Sequence, residues 1–498
     1  MTTVFIIIGT IGLILFLGIL IVFRIMKKPL KIPAIFLAGF SVLMIIGYIA
    51  FQTLLPALGI IDNNSSDIPV INEPTYNAGA NNTPSFENPG MATNIIELGG
   101  LGDGVFDNTA VIQTAEDNGV DIYFPDGVYR INGYILKKNS SWYGQSKFGT
   151  IFLYDDEFNY ALPSILEDPE ASGNGGSPFL RTEFSDDQFI TSDDYNSFVM
   201  QDFTLKWRVT TDYLEPLGGK ADLWYVGNCK DIILRNLCFD SDDASVVGTA
   251  FFTTIGAVDG LLIEGCTFIQ DSNPLMGEYH GYGGPLCLQN FTRTRGSSNF
   301  IIRNNHFVKK HGADELIWIS AGSNFIDGIY ILNNTFEVTS NEPEMGFQST
   351  AIRIRSSSTT GYSTPGKSYV DNIHIMNNTI TGGTFAYSVV TINESEDNSM
   401  PPINYVNVSN NVINATTNFN VEDYETWACA LSLNGTGTVY SIAENNTIAG
   451  NFEAGIDGFK IVRNNQLDLT DCRQGIRGAQ IALGNVVNIS GIGVTGID

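Results

Sequence analysis

The side chains best suited to chemistry are clustered acids, a few histidines and a pair of arginines. Glycoside hydrolysis needs two carboxyl groups astride the scissile bond, about 5 Å apart for retention and about 6.5–9.5 Å for inversion. Asp240, Asp242 and Asp243 lie together in DSDDAS, and Asp314 with Glu315 in HGADELIW, just ahead of Trp318. Asp271, Glu278, Glu394, Glu396 and Asp397 are further acids in longer loops, and solvated surface acids are the plain alternative for all of them. The histidines are His280, His306, His311 and His374. His280 in GEYHGYGG and His311 in KKHGADE could act as general acid or base near neutral pH; His306 and His374 fall inside a repeat and read as structural. Arg353 and Arg355 alternate in AIRIRS. Arginine grips carboxylates bidentately, as elimination at a uronate requires. Trp207, Trp224, Trp318 and Trp427 could stack on sugar rings or pack in a core. The acidic clusters could hold Ca2+, but the sequence has no EF-hand and no calcium nonapeptide. The sequence therefore assigns no certain cofactor and no metal ligand, and leaves Ca2+ open.

These residues are positioned by a repeat that starts near residue 95. Its unit is an alternating apolar run, two Asn or substitutes, one further residue and an apolar residue. It reads IIRNNHF, IYILNNTF, IHIMNNTI, VNVSNNVI, SIAENNTI, KIVRNNQL and IALGNVV, with weaker copies in IILRNLCF and LLIEGCTF. The closing apolar residues are Phe239, Phe268, Phe307, Phe336, Ile380, Ile413, Ile448, Leu467 and Val487. The short steps from Ile448 to Leu467 and on to Val487 set a unit of about 20 residues, the length of a β-solenoid coil, and the excess elsewhere is loop. Period-two alternation predicts strands. Stacked strands lie about 4.8 Å apart, so equivalent Asn side chains should form a hydrogen-bonded ladder, and Asn tolerates the left-handed conformation of a tight bend.

A further strand precedes each Asn pair, as in DLWYV (222–226), PLCLQ (285–289), ELIWIS (315–320), AIRIRS (351–356) and SVVTIN (388–393). Alternation places Trp318, Arg353 and Arg355 on the outer wall. Residues 107–118 predict a short helix with Asp107 or Asn108 at its N-cap, placed to cover the N-terminal end. The final SGIGVTGID reads as a small C-terminal cap.

Upstream, residues 4–23 and 33–55 are uncharged and each long enough to span a bilayer. Arg24, Lys27, Lys28 and Lys31 between them place the connecting loop in the cytoplasm and the rest of the chain outside. No charged n-region precedes the first span, which argues against a cleaved signal. The expected organisation is a transmembrane hairpin over 1–60, an Asn-, Pro- and Ser-rich tether over 61–94, reaching roughly 30 Å as a coil, and the solenoid over 95–498.

Among 498 residues, 53 acidic and 26 basic side chains give a net charge of −27. A broad nucleic-acid surface is thereby excluded. Only 16% of residues are charged and 51 are Gly, as suits turn-rich β structure. Six cysteines, none in a C-x-x-C pair, read mostly as small buried hydrophobes. No segment fixes an oligomeric state.

Residues 96–144 contain Gly102-Asp103-Gly104, Asp107-Asn108-Thr109, Ala110 with its helix, Tyr123-Phe124-Pro125 and Gly127-Val128-Tyr129. This stretch resembles the start of the pectate-lyase-like superfamily, the group related to rhamnogalacturonases, epimerases and phage tailspikes. The resemblance implies an all-β fold, a single-stranded right-handed parallel β-helix with an N-terminal capping helix, and engagement of a polysaccharide. It implies cleavage by a lyase or a glycoside hydrolase, or other modification, with a non-catalytic adhesin as the alternative. Asp242-Asp243, Tyr279-His280-Gly281 and Arg353-Ile354-Arg355 follow the motif order of its polygalacturonase branch; the Asn-Thr-Asp stretch is missing, Tyr279 replaces Gly and Arg355 replaces Lys. The residues expected to act are Asp242, Asp243, His280, Asp314 and Glu315, with Trp318, Arg353 and Arg355 holding substrate.

Overall fold

The computed structural model describes residues 92–497 apart from 134, 156–179, 183–195, 209–220, 242–248, 255, 271–283, 291–294, 310–314, 340–349, 357–367, 386–387, 394–402, 418–427, 435–437 and 492–494. The expected membrane spans lie outside the described residues. Among those residues, no helix is long and apolar enough to cross a membrane.

Among the described residues the chain winds through three sheets of 13, 13 and 12 strands, and their strand pairings are parallel, as between Phe300 and Ile329 or Phe307 and Phe336. One coil is Ser297–Arg303 in the first sheet, His306–Lys309 in the second and Ile317–Ala321 in the third; the next is Ile326–Leu332, Thr335–Val338 and Ile352–Ser356. The fold is thus the expected parallel β-helix. Pairing begins at Thr93–Asn94, just ahead of the expected boundary at 95.

The turn between the first and second sheets divides its labour between two Asn residues. The first is left-handed: Asn304, Asn333, Asn377, Asn410, Asn445 and Asn464 have φ between 55° and 57°. Glycine takes the same position at Gly265 and Gly484 (φ 65° and 64°). The second Asn is buried and builds the ladder. Its amide donates to the Oδ1 of the next coil's Asn, from Asn305 through Asn334, Asn378, Asn411, Asn446 and Asn465 to Asn485, at 2.9–3.0 Å throughout. Each also donates to a strand carbonyl of the preceding coil, as Asn378 does to Ile331 at 2.8 Å. Inside, Phe239, Phe268, Phe307 and Phe336 stack with centroids 4.7–4.9 Å apart.

The helix spans Thr109–Asp117. Asn108 holds the N-cap position without a side-chain bond to the helix. Asp107 instead accepts from the Thr109 amide at 3.0 Å, and Asn108 ties down Leu101 and Phe106. Asp103 accepts from the Val105 and Phe106 amides at 2.9 and 2.8 Å and so fixes the turn. Glu116 is fully buried, pairs with Lys137 Nζ at 2.9 Å and accepts from Trp142 Nε1 at 2.6 Å. Lys137 also donates to the Ser140 carbonyl. The C-terminal segment departs from expectation: Thr495–Ile497 pairs with Gln474–Arg477 as the last strand of the third sheet, because its alternation continues the coil pattern. All six cysteines are free and buried.

Candidate functional site

Alternation along the third sheet sorts side chains into columns. Trp224, Phe252, Leu286, Ile317, Ile352, Val390, Leu431 and Ile456 align in register and belong to the main core. The neighbouring outward column is Thr253, Cys287, Trp318, Arg353, Thr391, Ser432, Asp457 and Arg477. Cys287 and Trp318 form a cluster separate from the core, which confirms that this column faces out. A second outward column runs Gln289, Ser320 and Arg355.

Four of the expected residues meet on this face. Arg353 donates from Nη1 to Glu315 Oε1 at 2.8 Å, both side chains largely buried. The Arg355 guanidinium lies 5.2 Å from the centre of the Trp318 ring. Trp318 thus sits between Cys287 of the preceding rung and Arg355 of the next, and exposes only 7% of its surface. Its ring is not a free stacking platform. Its Nε1 is buried without a hydrogen-bond partner.

Two further side chains share that property. Thr253 Oγ1 and Gln289 Oε1 are buried and unpartnered, on residues only 1% exposed. The Gln289 amide is turned towards Cys287 Sγ at 3.0 Å, which leaves its carbonyl oxygen unused. Buried polar atoms are nearly always paired, and leaving one unpaired costs about 1–3 kcal/mol. One donor, one acceptor and one hydroxyl wait here within neighbouring rungs, beside an ion pair and a stacked guanidinium. Alternation in PLCLQ marks Gln289 as outward, but only burial distinguishes it from any surface glutamine.

Asp242, Asp243, His280 and Asp314 lie outside the described residues, as do His311 and Trp427. Asp240 is described and lies in the second sheet, 3.6 Å from Lys206 Nζ. Trp207 and Trp224 are core residues, 0% and 1% exposed, so neither can stack on a ligand. His306 faces out from the second sheet, 3.2 Å from Glu337. His374 is buried on the outer side of the first sheet between the rings of Tyr330 and Tyr405. Burial pushes its pKa down to about 4, so it is neutral at pH 7. Among the described residues, no three His, Cys, Asp or Glu side chains come together as a metal site.

No family model matches the chain, and no curated protein matches it. Similar solved structures include the surface protein and adhesin of Streptococcus pneumoniae, 14% identical over 82% of this chain and 100% of that one, TM-score 0.38. The A-module of an Azotobacter vinelandii mannuronan C-5 epimerase is 14% identical over 81% and 99%, TM-score 0.38. A family 28 exopolygalacturonase of Yersinia enterocolitica is 12% identical over 80% and 78%, TM-score 0.36. The parallel β-helix implied by residues 96–144 is the fold observed.

Proposed function

We propose that the outward face of the third sheet engages a polysaccharide. The observation that carries this is the set of buried, unpartnered polar atoms of Thr253, Gln289 and Trp318, next to the Glu315–Arg353 pair and Arg355. Sugar hydroxyls both donate and accept, so one ring could satisfy all three atoms. In this reading the chain is anchored by a bilayer hairpin at 4–23 and 33–55, tethered by 61–94, and carries the solenoid over 95–498 on the extracytoplasmic side. The helix Thr109–Asp117 then covers the open N-terminal edge, as an exposed strand edge requires.

Modification of the bound polymer is the second part of the proposal. A lyase would use Arg353 and Arg355 to hold a uronate carboxylate. A glycoside hydrolase would use Glu315 with Asp242, Asp243 or Asp314, and His280 as a further proton carrier. A non-catalytic binding solenoid is favoured by one observation: the one expected carboxylate that is described, Glu315, is engaged by Arg353.

The test is a panel of acidic and neutral polysaccharides, with binding, 235 nm absorbance and new reducing ends all recorded. Absorbance with reducing ends identifies elimination; reducing ends alone identify hydrolysis. Binding that Trp318→Ala reduces at least tenfold, with neither signal, identifies a binding module. Wild-type binding unaffected by Trp318→Ala and Gln289→Ala would refute this face as the site.

A further inference from the structure

The register carries the same outward column well beyond Arg355. Trp318 pairs in turn with Arg353, Thr391, Ser432, Asp457 and Arg477. Five steps at about 4.8 Å place Arg477 about 24 Å from Trp318 along the solenoid axis.

A second polar cluster is built there, with Asp457 and the Glu453 that precedes its strand four steps, or about 19 Å, from Trp318 along the axis. Arg477 donates to Asp457 Oδ1 and Oδ2 at 2.9 and 2.8 Å and to Glu453 Oε1 at 3.0 Å. The Glu453 and Asp457 side chains are each 9% exposed, while Arg477 keeps 25%. The other Glu453 oxygen, Oε2, is buried with no partner. A carboxylate oxygen is a strong acceptor with nothing to donate, so the complement it lacks is a hydroxyl or amine hydrogen. Between the two clusters the column holds only Thr391 and Ser432, short and uncharged. Ser432 is bonded sideways to Asn434 at 3.3 Å.

We infer that the ligand of this face is a linear polysaccharide lying along the solenoid axis and held at two points, by the Thr253–Gln289–Trp318 group and by Glu453. Arg477 is a positioning residue that fixes the Glu453 carboxylate. The inference rests on the proposed function and adds a minimum length: a chain too short to bridge about four steps uses one point only. The sugar above Glu453 presents hydroxyl hydrogens there, not a carboxylate.

The test is calorimetric titration of the full chain with cello-, manno- and galacturono-oligosaccharide ladders, from dimer to dodecamer. Wild-type affinity should climb until the oligomer spans about 19 Å and then level off. Glu453→Gln should lower the affinity of long oligomers about tenfold, as expected for one charge-assisted hydrogen bond, and leave dimers and trimers unchanged. Thr391→Phe, which blocks the floor without removing a charge, should reduce long oligomers to the affinity of short ones. Trp318→Ala should weaken every length. Circular dichroism melting shows whether each variant is folded. A wild-type plateau already at the trimer, or long-oligomer affinity unchanged in folded Glu453→Gln and Thr391→Phe, overturns the inference and leaves the Trp318 site standing. If no oligomer binds the wild-type chain, the underlying reading falls and this inference with it.

Discussion

Replacing Asn378 by alanine should separate the two jobs that the Asn pair performs. The Asn378 side chain takes part in four hydrogen bonds. It accepts from the backbone and side-chain nitrogens of Asn334 at 2.9 and 3.0 Å, and donates to Ile331 O and Asn411 Oδ1 at 2.8 and 3.0 Å. Two of the partners keep another bond: Asn334 Nδ2 still reaches Ile302 O, and Asn411 Oδ1 still accepts from the Asn378 amide. The Asn334 N–H loses its partner in a site where Asn378 is 1% exposed, while the Ile331 carbonyl keeps the pairing of its strand with the next coil. At about 1 kcal/mol net per bond, and about 1–3 kcal/mol per buried group left unpaired, the loss comes to about 4 kcal/mol. Asn377→Ala removes none of these bonds but forces alanine to φ near 57°, at about 1–2 kcal/mol, and Asn377→Gly should be nearly neutral. Asn485 ends the ladder and is partly exposed. Water replaces its lost partners, so Asn485→Ala should cost about 1 kcal/mol. Urea unfolding followed by circular dichroism gives the ranking, and amide exchange at Asn334 reports the local loss. Equal destabilisation by Asn378→Ala and Asn485→Ala, or by Asn378→Ala and Asn377→Ala, would refute the ladder as the stabilising element of the turn.

The Glu116–Lys137 pair is fully buried, so Lys137→Met alone should destabilise by about 3–5 kcal/mol, whereas Lys137→Met with Glu116→Gln should recover most of that; thermal melts of the single and double variants check this. His374 gives a pH dependence. Its folded pKa of about 4 lies below the ordinary 6.5, so between those values the unfolded chain holds a proton that the folded chain does not. Its contribution, up to about 3 kcal/mol, is therefore complete above pH 6.5 and lost as pH falls through about 4. Subtracting the stability profile of His374→Gln from that of wild type should isolate this loss, and a flat difference between pH 7 and pH 4 would show that burial does not hold the ring neutral.

The coil was legible because its signals are local and periodic. An alternating run followed by two Asn gives strand, bend and ladder at once, since one Asn meets the conformational need and the other the hydrogen-bonding need. Parity was legible only where a strand is apolar on one side. In AIRIRS the arginines must face out, and Arg353 does. In DLWYV both parities are apolar, so the sequence does not decide whether Trp224 lies inside. Pairing with Phe252 decides it, and puts Trp224 in the core while Trp318 falls in the opposite column. Asp242, Asp243, His280 and Asp314 fall outside the alternating sequence pattern, and no period carries a position to them.

What a solenoid adds to such a reading is a rule for distance. Glu315 and Arg353 are separated by 38 residues in the chain yet share a 2.8 Å hydrogen bond, because the inserted loop is excluded from the register while each strand is not. Local motifs therefore mislead in this fold: two neighbours in sequence face opposite ways, and the true neighbour of a side chain is its column mate one coil on. Read down its columns, the third sheet is a linear array with about 4.8 Å per step. Its chemistry, from Thr253 to Arg477, is then set by which residues the coils place in one file. Under the proposed reading, a linear ligand along that file meets these residues in turn, and its length decides how many of them it reaches.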